Sequence, residues 1–373
     1  MRVLTSGIDT LVLSVDVRWN NSELFKVLSQ MKEKAREEAA DRPGIMRGPS
    51  REDDWIFSLR PFGTRGYEWI LTGKDLTMRI GKFLEPSSRP SMMVEISSEA
   101  LWRQGPLNIC ERILRLIEYN GGLLLNVKTS RADLCVDILF ESELWNRTLV
   151  DNRTTKAKEW IIHENSKGIK QIRFGMEKIF CRIYDKALEI KQKSKKLWMY
   201  DIWGIEKVEE DKKVIRIEFQ IRRDVLKELG VGKIQDFFKK CDTVWAYCTQ
   251  NWLKFQDRPG KHHTQRKTIE WWIEVQNGFM GVQSPTPAIR EKAIKEDAEQ
   301  LRSQIVGFVS SLTALKLEEY EFEYDEKVSF KDSVSAVIDY YRSNGKGIED
   351  FVELVKKKRA KYSRTLNPIK KGE

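Results

Sequence analysis

Histidine is scarce in this chain: 373 residues hold three, His163, His262 and His263. Adjacent His262 and His263 would point to opposite faces of a strand, which excludes a His-hydrophobe-His metal centre there, and no Ser-His-Asp order stands out. The five cysteines, Cys110, Cys135, Cys181, Cys241 and Cys248, form no Cys-x-x-Cys pair. That argues against a zinc ribbon or dithiol redox site and for reduced core thiols. No stretch approaches the ~18 consecutive apolar residues of a membrane span, and no basic-then-apolar leader with a small-residue cleavage site opens the sequence. The expectation is a cytoplasmic protein without a membrane partner. No predicted strand is followed by Gly-x-Gly-x-x-Gly or a Walker-type loop, so nucleotide hydrolysis is not expected. Internal repeats and long low-complexity segments are also missing.

What is present is charge and aromatic mass. Lys and Arg number 66 against 56 Asp and Glu, a formal charge of +10 with a pI near 9.2. A polyanionic partner is favoured over an acidic one, although a basic excess also serves solubility, membrane surfaces and protein partners. With 40% hydrophobic residues, including 12 Trp, 16 Phe and 10 Tyr, the chain has ample material for buried cores.

Periodicity predicts a strand over Ile8 to Val17 and a helix over Glu23 to Ala40, then short strands at Trp55 to Leu59, Tyr67 to Leu71, Leu76 to Ile80 and Met92 to Ile96. A helix over Leu101 to Tyr119 ends at Gly121-Gly122 before a strand at Arg131. A second round follows, with strands over Ile169 to Phe174, Lys178 to Asp185 and Val214 to Ile221, then helices over Asp224 to Leu229 and Ile234 to Leu253. This is an α+β arrangement, a mixed sheet with helices on one face. The turn-like Asp257-Arg-Pro-Gly260 marks a boundary between a domain over 1–257 and a mainly helical, basic region over 258–373.

Three alternating segments carry the chemistry. In Arg131-Ala-Asp-Leu-Cys-Val-Asp137, Asp133 and Asp137 share a face; in Arg216-Ile-Glu-Phe-Gln-Ile-Arg222, Glu218 shares one with Arg216, Gln220 and Arg222. In Phe180-Cys-Arg-Ile-Tyr-Asp-Lys186, Arg182, Tyr184 and Lys186 align. Three carboxylates suit a hard divalent cation, and a tyrosine hydroxyl is a candidate nucleophile, the combination that metal-assisted phosphodiester cleavage needs. An exposed sheet face with Arg-Asp cross-strand pairs accounts for the carboxylates equally well, and Tyr184 alone fits a half-buried strand aromatic. Lys261-His-His-Thr-Gln-Arg-Lys267 is a basic loop, either solvated surface or, through Lys261, Arg266 and Lys267, a phosphate contact. The basic run Lys356 to Arg364 allows the same two readings.

Taken in order, Gly7-Ile-Asp-Thr-Leu11, Arg131 to Asp137, Phe174-Gly175 with Cys181 to Lys186, and Arg216 to Arg222 resemble the Rep_trans family of rolling-circle replication initiators, which is related to relaxases of integrative elements. The resemblance spans roughly residues 5 to 255. It implies an antiparallel-rich, relaxase-like sheet with packed helices and nicking of one origin strand by a tyrosine with Mg²⁺ or Mn²⁺. By position it makes Tyr184 the nucleophile that stays joined to the 5′ phosphate, Asp133, Asp137 and Glu218 the metal ligands, and Arg182, Lys186 and Arg222 the phosphate-neutralising cations, with Arg216 also facing DNA. Its implied partners are double-stranded origin DNA and single-stranded DNA, with a host helicase and a second protomer as further expectations. The alternatives are a conjugative relaxase and a non-catalytic DNA-binding regulator on the same sheet. One departure stands out: many relatives carry Tyr-x-Gly-Ser where this chain has Arg173-Phe-Gly-Met176, and Tyr200 is the reserve nucleophile.

Overall fold

The computed structural model describes residues 1–257 except 21, 65, 86, 87 and 167, residues 266–279, and isolated residues from 305 to 352 around one helix. The chain divides into a unit over Met1–Arg290 and a second over Glu291–Glu373. The first contains strands β1 (Arg2–Trp19), β2 (Arg42–Met46), β3 (Trp55–Leu59), β4 (Trp69–Thr72), β5 (Leu76–Ile80), β6 (Met92–Ile96), β7 (Gly122–Glu141), β8 (Arg153–Thr155), β9 (Trp160–Asn165), β10 (Gly168–Phe174), β11 (Ile179–Asp185), β12 (Lys212–Arg222) and β13 (Leu253–Phe255). Eleven of these form one sheet in the order β2-β3-β4-β5-β6-β1-β7-β12-β11-β10-β9, every pair antiparallel, while β13 and β8 form a separate ribbon.

Side-chain alternation explains how this sheet is covered. In β7 the even positions Leu134, Val136, Ile138 and Phe140 are apolar, and in β12 the odd positions Ile215, Ile217, Phe219 and Ile221 are. All are buried in one core, together with Leu11, Leu13, Val15 and Val17 of β1. Helices α1 (Glu23–Glu37), α3 (Pro106–Tyr119), α7 (Arg223–Glu228), α8 (Ile234–Ala246) and α9 (Glu270–Asn277) close that face with their apolar stripes. Phe219 meets Trp245 of α8 edge-on, ring centroids 5.4 Å apart, and Trp271 of α9 packs edge-on against Phe140 at 5.8 Å. Edge contacts of this kind add ~0.5–1.5 kcal/mol to the burial itself.

Trp271, Trp272 and Val275 are core residues, so the boundary expected near 257 lies inside the first unit. A turn-like sequence did not mark a domain end, because aromatic burial beyond it returns the chain to the same core. The helix expected over Leu101 to Tyr119 is two, α2 (Ser98–Gln104) and α3, broken where Gly105 takes φ +82° ahead of Pro106.

The opposite face carries the polar positions. At one end it is covered by residues 186–208, containing α5 (Lys186–Glu189), a π-helical turn Ile190–Ser194 and α6 (Met199–Trp203). Ile190, Met199 and Trp203 form a second, smaller core on Val214, with Leu4 and Leu139 packed against it. Short α4 (Thr148–Asp151) leads into β8, and α10 (Phe330–Ser343) is the helix described in the second unit.

Candidate functional site

Register decides which polar residues meet. Across β12 and β7, Arg216 lies opposite Asp137, Glu218 opposite Cys135, Gln220 opposite Asp133 and Arg222 opposite Arg131. Across β11 and β12, Arg182 lies opposite Glu218 and Tyr184 opposite Arg216. The same face therefore carries two ion clusters a few residues apart.

The first lies under the cover. Arg216 donates through Nε and Nη2 to the two oxygens of Asp137, at 2.6 and 2.7 Å, and through Nη1 to Asp9 at 2.7 Å. Trp203 Nε1 donates to Asp137 at 2.7 Å; Ser98 and Trp102 donate to Asp9 at 2.9 and 3.3 Å. Arg216 and Asp137 are fully buried. Asp9 reaches this cluster through an irregularity in β1, where the pairing steps from Ile8 opposite Leu134 to Thr10 opposite Asp133. A bulge of this kind re-aims the extra side chain. Gly7 makes room for the Trp102 ring that donates to Asp9, since a Cβ there would come within 2.9 Å of it. Burial pushes the Asp9 carboxyl up, but the charges of Arg216, Lys196 and Lys186 and the Ser98 hydroxyl outweigh it and hold Asp9 well below the usual carboxylate range.

The second cluster lies at the margin of the cover, whose Lys186 and Lys193 come up to Tyr184. Arg131 Nε donates to Asp133 at 2.8 Å, with Nη2 on the other oxygen. Arg182 Nη2 donates to Glu218 and lies 3.9 Å from Asp133, and the Tyr184 hydroxyl donates to Glu218 at 2.9 Å. Both carboxylates are about 1% exposed, whereas Arg131 and Arg182 are each 33% exposed. Burial, reinforced by the Glu218 charge and opposed by Arg131 and Arg182, raises the Asp133 carboxyl to about 6. Burial, again with the Glu218 charge, pushes the Tyr184 phenol well above its usual value despite Arg216 and Arg182. Tyr184 also lines a cleft of about 320 Å³ with His163, Lys170, Gln171 and Lys193. On the other side, Arg131, Gln220, Arg222, Arg223 and Lys178, with the acids Glu177 and Asp224, line a cleft of about 450 Å³, Lys178 pairing with Asp224 at 3.1 Å.

No family model and no curated protein matches the chain. Among solved structures it is similar to the rolling circle replication initiator protein from Geobacillus stearothermophilus, with a TM-score of 0.44 and 17% identity, covering 77% of this chain and 98% of that one. No helix among the described residues is long and apolar enough to cross a membrane.

Of the residues singled out from sequence, Asp133, Glu218, Arg182 and Tyr184 come together. Asp137 does not join them, because Arg216 and Trp203 take both its oxygens. Arg216 corrects the expectation of a DNA contact: a fully buried guanidinium satisfied by two carboxylates presents no charge to a phosphate. Lys186 is buried, paired with Glu189 at 2.9 Å, and 5.7 Å from the Tyr184 ring centroid. Tyr200 sits on the cover against Trp203, ring centroids 5.1 Å apart, in the smaller core. Arg222 is exposed in the basic cleft and Lys267 is exposed; Arg266 is half-buried with its Nε enclosed and unpaired. Lys261, His262, His263 and the run Lys356 to Arg364 lie outside the described residues.

A Mg²⁺ or Mn²⁺ ion does not fit the residues as they stand. Among the described residues no group of three His, Cys, Asp or Glu side chains is placed to hold a metal, and the Arg182 guanidinium contacts both carboxylates that would bind one. Sequence reading missed Asp9 and Trp203, whose roles depend on a bulge and a covering segment. It also assigned no contact to Arg223 or Lys178, whose position beside Arg222 only the fold reveals.

Proposed function

We propose that this chain is a DNA strand-nicking and rejoining protein of the replication-initiator type, with Tyr184 as nucleophile. The observation that carries the reading is the Tyr184 hydroxyl donating to Glu218 beside Arg182, with Tyr184 lining one cleft and Arg131, Arg222 and Arg223 lining another. With its pKa raised, the phenol is protonated at neutral pH, so its proton must leave as the new bond forms; Glu218 is within reach to accept it. The Tyr184 oxygen attacks phosphorus, the bond from phosphorus to the 3′ oxygen breaks, and that oxygen takes a proton from water to leave as a 3′ hydroxyl. The 5′ phosphate stays on the tyrosine, so bond energy is conserved and reversal rejoins the strand. Arg182, one-third exposed, is placed to offset phosphate charge; Arg131, Arg222 and Arg223 extend a cationic track for neighbouring phosphates.

The test is incubation of the full chain with supercoiled DNA carrying its own gene and Mn²⁺, with and without EDTA, followed by denaturing separation and peptide mapping. The expected result is a covalent adduct at Tyr184, and the EDTA arm reports whether a divalent ion takes part. An adduct at another residue moves the nucleophile. Specific binding with no adduct supports the regulator reading, which the occupation of Glu218 by Arg182 favours. A relaxase would perform the same chemistry on a transfer origin.

A further inference from the structure

The two arginines that serve the carboxylates of the polar face are held in different ways. Arg216 uses three nitrogens, is fully buried and has two acid partners. Arg182 uses one nitrogen, Nη2, to reach both Glu218 and Asp133, while its Nε is enclosed without a hydrogen-bond partner. An enclosed charged donor without a partner is costly, so Arg182 is not held in its best-satisfied arrangement. Its one-third exposure gives it a way out.

Charge counting then limits what else the site can hold. Asp133 and Glu218 contribute two negative charges, and Arg131 and Arg182 two positive ones, so the cluster is neutral as placed. Adding a divalent ion would leave an excess of two positive charges beside two nearly buried carboxylates, which a low-dielectric surrounding penalises. Removing the Arg182 charge leaves one uncompensated negative charge and a space the size of a guanidinium between two carboxylate groups. That is the donor set a hard cation takes with waters completing its shell.

We propose that Arg182 is the resident cation of the Asp133–Glu218 pair and that a divalent ion and the Arg182 guanidinium exclude each other at this position. The proposal rests on the nicking reading only for its purpose: Arg182 swings out to phosphate when the pair takes another cation, and stays in when it does not. Its test uses the metal alone, so it fails separately from strand cleavage.

The experiment is Mn²⁺ titration of the purified full chain, with free Mn²⁺ counted by electron paramagnetic resonance. Wild type is compared with Arg182→Gln and with Arg182→Gln combined with Asp133→Asn. The expected result is one Mn²⁺ bound by Arg182→Gln at least about tenfold tighter than by wild type, with the gain lost in the double variant. Equal affinity in wild type and Arg182→Gln, no binding by either, or a gain that survives Asp133→Asn overturns it. Should Arg182→Gln not fold, thermal melting of wild type decides. Millimolar Mn²⁺ is expected to leave its Tm unchanged, and a Tm rise that Asp133→Asn abolishes overturns the proposal.

Discussion

Two ion clusters share β7 and β12 and one face of the sheet, yet they have opposite characters. Asp9–Arg216–Asp137 lies under residues 186–208, with all three guanidinium nitrogens matched to carboxylate oxygens and indoles from Trp102 and Trp203 on the acids. Asp133–Arg182–Glu218 lies at the margin of the cover, with one guanidinium nitrogen shared, one unpaired, and a tyrosine hydroxyl on the acid. Their carboxylates respond accordingly: Asp9 is held low, and Asp133 is raised to about 6. Similar residue types on the same strands thus give a fully hydrogen-bonded support under the cover in one place and an exchangeable arrangement in the other. A satisfied buried network marks structure, whereas a buried carboxylate with a raised pKa close to a cleft is a functional-site candidate.

The contrast can be broken most severely at Tyr184. Tyr184→Phe is expected to abolish the covalent adduct, a rate loss of at least about 10³-fold, while changing the urea midpoint little, since only one partly exposed hydrogen bond is lost. A large stability loss would place Tyr184 in the scaffold instead. Next in size is Arg216→Met, which leaves two acids under the cover without their cation. It is expected to cost about 3–5 kcal/mol in urea denaturation. Arg182→Gln is expected to cost clearly less, because Arg182 is one-third exposed and Arg131 keeps Asp133 paired; equal losses would erase the distinction between the clusters.

Acidity separates the two more finely. Asp9, with a depressed folded pKa, contributes stability above its unfolded value near 3.8 that is lost as pH falls below it. Asp133, raised to about 6, has the opposite sign: between about 6 and 3.8 the folded state holds a proton the unfolded state releases, so its contribution grows as pH falls through that window. Asp9→Asn should therefore lower stability at pH 7 and flatten the acid limb, while Asp133→Asn should flatten the window from 6 to 4 without a comparable loss at pH 7. Urea midpoints measured across pH 3 to 8 check both, and matching profiles would contradict them.

The smallest expected effect lies at the rim. Arg222→Ala with Arg223→Ala should weaken binding evenly across DNA sequences and reduce the log–log salt slope by about 2, one phosphate per side chain. An unchanged slope would remove the basic cleft from the DNA path.

Much of the fold was legible in local pattern. The strands Trp55 to Leu59, Leu76 to Ile80 and Met92 to Ile96 stand where alternation placed them, because each buries one face against helices. Strand β9 was not, since its residues are mostly exposed and carry no apolar alternation. Residues 186–208 carried no periodic signal strong enough to read. That segment is three short helical turns whose apolar residues follow no single period across the breaks and make sense only against Leu4, Leu139 and Val214. The omission left Asp137 and Arg216 looking as available as Asp133 and Arg182.

Parity is written in the chain: Asp133 and Asp137 on one side of β7, Glu218 and Arg216 on one side of β12, Arg182 and Tyr184 on one side of β11. Alternation is local and follows from backbone geometry alone. Partners and exposure came from the packing of distant segments. Register set Arg182 against Glu218 and Arg216 against Asp137, a bulge turned Asp9 inward, and the cover lies over one cluster and only at the margin of the other. These depend on contacts between distant segments, up to 207 residues apart for Arg216 and Asp9, so no local pattern encodes them.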